Sequence, residues 1–429
     1  MRDDQARLMS IAQFRGHPRR SYYTGSNVAR ALTIEDLRAR THRRMPRFVL
    51  EYLEGGAEDE ATLAREREAQ GEWRFVPRTL VDVSGRTPEH DILGVKAPMP
   101  LIVAPTGLNG IFCRGADVAL STGAAAAGVP FVQSTMSNDT IEHVAAVEGL
   151  RHWFQLYVFG EDRIWHNLVD RAAAAGCEAL VLTSNSQIFG NREWEDRTQV
   201  KGKPSLATIV DSAAYPGWFA RTLLHGMPVF SNVIDFVPKE HRSFFDSATW
   251  IRKQMPKSLS WDTVTAIRKR WKGPFLLKGI LRPIDAQIAL ESGVDGIVVS
   301  SHGGRQMDWA VSALDVLPRV RDIAGDRMQV MMTGGIRRGT DILKAMALGA
   351  DAVMAGRAPI YGLCAGGADG VKRALAILHK ETRDAMGLLG VSRMNELSGD
   401  LLASSNKFTV PHSTPSWPRG TSKTEARGT

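Results

Sequence analysis

Three cysteines in 429 residues, Cys113, Cys177 and Cys364, stand far apart in apolar or helical surroundings. That scarcity argues against a disulfide framework and against a zinc site, and leaves them as small buried hydrophobes. Missing too is any apolar run near the roughly 20 residues that cross a bilayer. The first ten residues, MRDDQARLMS, lack the apolar core of a secretory signal, so a cytoplasmic location is expected. The net charge of +8 is concentrated at the ends: residues 1–47 hold eleven arginines against four acidic residues, and 404–429 hold four basic against one acidic. Such tails can touch nucleic acid or anionic lipid. No interleaved aromatic platform accompanies them, so nucleic acid is not an expected partner.

What is present is an ordinary globular composition, 43% hydrophobic and 23% charged. Residues 1–30 mix Gly, Pro, Arg and Tyr without period and read as a flexible basic arm. Thr33-Ile34-Glu35-Asp36 reads as a capped helix start, with apolar positions continuing through Phe48, Val49 and Tyr52 until Gly55-Gly56 stops it. Short β-rich runs then recur at 101–106, 130–135, 153–158, 179–185, 274–280, 296–300, 329–333 and 352–356, with helix-length segments between most of them. Eight unalternated apolar strands with intervening helices predict a (β/α)8 TIM barrel over 31–403, with an open doubly wound sheet as the alternative. Residues 186–258 interrupt the rhythm and read as a long insertion or lid loop. Its segment 213–224 is apolar enough to meet a membrane, the substrate mouth or another subunit. Residues 404–429 read as a disordered tail.

In such a barrel the site lies at the C-terminal strand ends. Those ends deliver Thr106 and Gly107; Ser134 and Met136; Gln155 and Tyr157; Thr183 and Asn185; Lys278; Ser300, His302 and Arg305; Thr333, Gly335 and Arg337; and Gly356 and Arg357. Glycine-rich turns with arginine ahead of helix starts suit a phosphate. Lys278 in an apolar strand needs an anion or strong acceptor. His302, released between a buried strand and Gly303-Gly304, is a candidate base.

These residues carry a resemblance. The stretches Glu51-Tyr52-Leu53-Glu54-Gly55-Gly56, Pro105-Thr106-Gly107-Leu108-Asn109-Gly110, 153–158, His225-Gly226-Met227-Pro228 and His302-Gly303-Gly304-Arg305-Gln306 resemble the FMN-dependent L-2-hydroxy-acid oxidases and dehydrogenases, most closely the (S)-mandelate dehydrogenases. The resemblance implies a barrel holding FMN and oxidation of an L-2-hydroxy acid, aromatic or bulky, to the 2-oxo acid. His302 would be the base, assisted by Tyr157 and Asn185, with the flavin N5 accepting hydride. Tyr52, Arg192 and Arg305 would bind substrate beside Gly107 and Met136. Thr106, Ser134, Gln155, Thr183, Lys278, Ser300 and Thr333 would contact the flavin, and Gly335, Arg337, Gly356 and Arg357 its phosphate. The resemblance also implies a homotetramer, and leaves the electron acceptor open among a quinone, a carrier and oxygen. Gly107, where related oxidases often carry Ala, favours a dehydrogenase. Peripheral contact with the inner face of a membrane through 186–258 is a further expectation.

Three positions depart from the family pattern. Asn185 replaces the carboxylate that pairs with the histidine, Ser301 replaces an Asn, and Thr333 replaces an Asp. An amide orients an imidazole without offsetting its charge, a loss on the order of 1–3 kcal/mol. Two alternatives therefore stand beside hydroxy-acid oxidation: a different flavin reaction on a biosynthetic intermediate, and a catalytically decayed flavin-binding protein that contacts a membrane or partner.

Overall fold

The computed structural model describes residues 20–200, 203–224, 226–255 and 259–404. Most of the basic arm and all but one residue of the tail lie outside them. Within them Tyr23 to Arg30 is docked rather than free: the Tyr23 amide donates to Asp36 at 2.7 Å, and Arg40 donates to the Thr24 carbonyl at 3.1 Å. Ser404 pairs with Trp73 in a short antiparallel ladder.

Helix α1 (Ile34–His42) begins at a Thr33–Asp36 capping box. It does not run on through Tyr52 as its apolar spacing suggested, because Pro46 cannot continue a helix and instead caps α2 (Arg47–Glu54). The α2 helix ends where the Gly55 amide meets the Glu51 carbonyl at 2.9 Å. Helix α3 (Ala61–Glu72) follows.

Eight strands form the barrel: β1 (Leu101–Val103), β2 (Phe131–Ser134), β3 (His152–Leu156), β4 (Ala179–Thr183), β5 (Phe275–Ile280), β6 (Gly296–Ser300), β7 (Gln329–Thr333) and β8 (Ala352–Ala355). All pairs are parallel, β8 pairs β1, and the β4–β5 pairing of Phe275 with Leu180 closes the cylinder. The closed ring excludes the open doubly wound sheet.

Side chains alternate between two apolar clusters with the strand period of two. Val132, Trp153, Val181, Leu276, Val298 and Met331 pack together inside the barrel. Their neighbours Phe131, Phe154, Leu182, Leu277, Val299 and Met332 join the larger cluster under the helices. Continuing the inward row by two residues brings Ser134, Gln155, Thr183, Lys278, Ser300 and Thr333 to one end, so an apolar barrel finishes in a polar rim.

The covering helices include α4 (Ala116–Ala126), α5 (Ile141–Ala145) and α6 (Asp162–Ala174). The stretch after β4 is not a long loop. It folds into α7 (Glu193–Asp196), α8 (Leu206–Ala213), α9 (Pro216–Thr222) and α10 (Phe244–Gln254), with a two-residue strand pair at 199–200 and 203–204. Local signals set these helices: Ser205 and Ser243 cap α8 and α10, and Pro216 opens α9. Trp218 anchors the insertion, donating from Nε1 to the Ile111 carbonyl at 2.7 Å. Helices α11 (Trp261–Arg270), α12 (Pro283–Glu291), α13 (Ala313–Ala324), α14 (Gly339–Ala347) and α15 (Arg357–Leu389) complete the shell. No helix among the described residues is long and apolar enough to cross a membrane.

Candidate active site

The polar rim opens into a cavity of about 340 Å³. Thr106, Gly107, Ser134, Lys278, Ser300, Thr333, Gly335, Arg337, Gly356 and Arg357 line one part of it; Tyr52, Met136, Tyr157, Arg192, His302 and Arg305 line another. Gln155, Thr183 and Asn185 do not face the cavity directly. Gln155 accepts from the Ser134 hydroxyl at 3.0 Å, Thr183 stands level with Lys278 across the β4–β5 pair, and Asn185 contacts His302.

Positive charge gathers at one end, where Lys278, Arg337 and Arg357 have no ion-pair partner among the described residues. Burial pushes the Lys278 ammonium down to about 8, and no hydrogen-bond acceptor or carboxylate holds it among the described residues. Arg357 is lowered to about 10 by burial and then by the adjacent cations Arg337 and Arg305. Its guanidinium donates to the carbonyls of Leu53, Gly303 and Gly55 at 3.0, 3.1 and 3.2 Å. Gly334 and Gly335 take φ of 145° and 69°, conformations that bare the backbone beside this end and that a side chain would strain. The buried Gln155 Nε2 has no hydrogen-bond partner among the described residues. Two arginines at a glycine turn and a helix start, a desolvated lysine and a spare amide donor together suit a bound dianion carrying a polar ring.

The other end is built on His302. It sits just past β6 at φ 60°, an uncommon conformation fixed by its amide donating to Ser300 Oγ at 3.0 Å. Its Nδ1 lies 3.0 Å from Asn185 Oδ1 and 3.2 Å from Ser186 Oγ. Asn185 Nδ2 donates to the Ser300 carbonyl at 3.2 Å, so the amide oxygen must face the ring and the Nδ1 proton points at it. Nε2 is left with its lone pair. A β-bulge at Gly279 makes room for this amide: a Cβ there would stand 2.7 Å from Asn185 Cγ. Burial first, then the cations Lys278, Arg192, Arg305 and Arg357, hold His302 well below the usual imidazole value. The imidazole is neutral at ordinary pH and can take a proton at Nε2.

Around it, Tyr52 donates to the Gly107 carbonyl at 2.8 Å and lies under Arg305, whose guanidinium carbon is 4.9 Å from the ring centre. Burial pushes the Tyr52 phenol up to about 12, and burial raises Tyr157 too, although a hydrogen bond with Ser186 opposes the rise. Ser186 thus lies against His302 and close to Tyr157. Arg192 reaches the Gln306 side chain at 3.2 Å, and Gln306 Nε2 ties down the Asn185 and Ile188 carbonyls at 3.0 and 2.9 Å. The α10 helix and the segment ahead of it add Phe230, Ile251 and Arg252 to the wall, with Phe189 between Arg192 and Arg252, each 5.7 Å from its ring centre.

Residues 41–404 match the family model for FMN-dependent dehydrogenases. The chain belongs to the FMN-dependent dehydrogenase family. It is 38% identical over 371 residues to the (S)-mandelate dehydrogenase of Pseudomonas putida, covering 86% of this chain and 93% of the relative. To an L-lactate dehydrogenase of Caulobacter sp. strain K31 it is 36% identical over 373 residues, covering 87% and 98%. A crystal structure of the monotopic membrane protein (S)-mandelate dehydrogenase superposes with a TM-score of 0.83 at 38% identity, over 87% of this chain and all of that one. The protein is therefore an FMN-dependent enzyme of the 2-hydroxy-acid dehydrogenase class. The cavity lining fits the cofactor: Arg337, Gly356 and Arg357 would suit its phosphate and Lys278 its ring.

Four residues near this site were not singled out from the sequence. Ser186 and Phe189 follow β4 on a segment without strand or helix period, and Glu195 lies on the four-residue helix α7. Glu66, on α3, is buried behind Gly334. It accepts from the Ser301 hydroxyl and from the Ala313 amide at 3.2 Å, and burial raises its carboxyl to about 7. An isolated acidic residue on an exposed-looking helix gave no signal for any such role.

Proposed function

We propose that the protein oxidises an L-2-hydroxy acid bearing an aromatic or bulky substituent to its 2-oxo acid, with His302 as the base. The observation that carries this reading is the His302 imidazole, neutral, with Nδ1 turned to Asn185 and Nε2 free beside two arginines and two tyrosines. Arg305 and Arg192 bind the carboxylate, and the Tyr52 and Tyr157 hydroxyls orient the acid. His302 Nε2 takes the hydroxyl proton as the carbon–oxygen double bond forms. The bound FMN supplies the two-electron acceptor for the α-hydrogen and its electron pair. Lys278 provides positive charge beside the ring as negative charge develops there.

Phe189, Phe230, Ile251 and Met136 support a bulky apolar substituent. The insertion supports peripheral membrane contact: Leu206, Ile209, Val210, Phe219 and Leu224 are 51–77% exposed on and beside α8 and α9, and a structural relative is described as a monotopic membrane protein. An acceptor drawn from a membrane pool follows from that position.

The test is anaerobic addition of 2-hydroxy acids, (S)-mandelate and aliphatic members included, to the FMN-loaded protein. Bleaching of the flavin by an aromatic member supports the reading; a flavin that no 2-hydroxy acid reduces rejects it. A second reading, oxidation of a different class of substrate, is favoured by Asn185, whose amide cannot offset an imidazolium charge.

A further inference from the structure

The two arginines read as the substrate clamp are already partly engaged within the protein. Arg305 Nη1 donates to the Tyr52 and Gly55 carbonyls at 2.7 and 2.9 Å, and its Nη2 donates to Glu195 Oε1 at 2.6 Å. Arg192 is bound through Nε to the Arg305 carbonyl at 3.1 Å, through Nη2 to Gln306, and its Nη1 lies 3.8 Å from Glu195 Oε2. The three charged side chains are 15–17% exposed, so this pairing is largely screened from water. A carboxylate of the protein already pairs with the arginine that a substrate carboxylate needs.

Two carboxylates cannot share that arginine comfortably. With Glu195 on Arg305, an incoming acid meets one net positive charge instead of two, and a like charge at close range in a poorly hydrated pocket. Glu195 borders a second, mostly apolar cavity of about 590 Å³, which shares Tyr52 and Leu108 with the first. It rides on α7, a single turn within the insertion, so it can leave Arg305 without disturbing a barrel strand.

We propose that Glu195 is a gate carboxylate: it holds Arg305 when no acid is bound, swings toward the second cavity when one enters, and thereby sets the affinity for the substrate carboxylate. This rests on reading Arg305 and Arg192 as the carboxylate clamp. Glu195 is a specificity-determining residue, since an uncharged ligand has no need to displace it.

The test is titration of the FMN-loaded full chain with phenylacetate, which has no 2-hydroxyl to oxidise, and with neutral phenylacetamide, followed by the flavin absorbance. Glu195→Gln should bind phenylacetate about tenfold more tightly, about 1.4 kcal/mol, with phenylacetamide unchanged. Glu195→Asp, one methylene shorter, should fall between. Unchanged or weaker phenylacetate binding in Glu195→Gln overturns the proposal by making Glu195 a prop for Arg305. An equal gain for phenylacetamide overturns it as a general pocket effect. Arg305→Met separates this from the parent reading: if it leaves phenylacetate affinity intact, the clamp itself is wrong. Because no turnover is measured, a failure to oxidise hydroxy acids does not affect the result.

Discussion

Among the described residues, Lys278, Arg337 and Arg357 crowd one end of the cavity with no carboxylate in ion-pair distance, whereas Arg305 and Arg192 at the other end already hold Glu195. The first set sits on barrel strands and the turns that follow them, fixed by the β-sheet register. In the second, Arg305 also follows a strand, but Arg192 and Glu195 lie on an insertion fastened through Gln306. Uncompensated buried cations suit an anion that binds once and stays. Cations with an internal partner suit an anion that comes and goes.

The difference can be broken at the cofactor end. Arg357→Met removes the guanidinium and its charge-assisted bonds, and should weaken FMN binding about a hundredfold, at roughly 1.5–3 kcal/mol per contact. Flavin fluorescence released on dilution measures it, while the circular dichroism of the barrel stays as in the unmodified protein. The same change should leave the phenylacetate affinity of protein saturated with FMN within a few-fold.

At the acid end a smaller effect is expected from Asn185→Asp. A carboxylate 3.0 Å from Nδ1 stabilises the imidazolium and raises the depressed His302 value. Activity needs the neutral base, so it is lost as pH falls through that value, and the acid limb of kcat/KM should move upward in the variant. The rate of flavin reduction should rise about tenfold. The Ser300 carbonyl loses its donor in exchange, which limits the gain. No rise in rate would favour the second reading of the substrate.

The smallest effect is expected from Ser186→Ala, which removes the hydroxyl 3.2 Å from His302 Nδ1 but leaves Asn185 in place. Flavin reduction should slow by about three- to tenfold with FMN affinity unchanged, a loss consistent with one hydrogen bond of about 1 kcal/mol.

The cofactor end was legible because period-two alternation carries Ser134, Gln155, Thr183, Lys278, Ser300 and Thr333 onto one face once the strands are recognised. A Lys in an apolar strand and glycines at two strand ends were chemical anomalies on their own. The acid end was legible only as far as strand ends reach, which includes His302, Arg305 and Asn185. Glu195 and Phe189 were not, since a four-residue helix and an irregular segment in an insertion do not fix their own position in space. Glu66 escaped because its partner Ser301 is 235 residues away in the chain. Pro46 was visible and should have split the first helix, but the apolar spacing on either side of it masked the break.

The most direct measurement is single-turnover anaerobic flavin reduction in His302→Gln, loaded with FMN and mixed with the acid that reduces the unmodified protein best. The account predicts full FMN occupancy with reduction slowed by about 10³-fold, within the range for removing a positioned general base. Reduction within tenfold of the unmodified rate would contradict it, and would leave His302 a turn residue beside a site that works some other way.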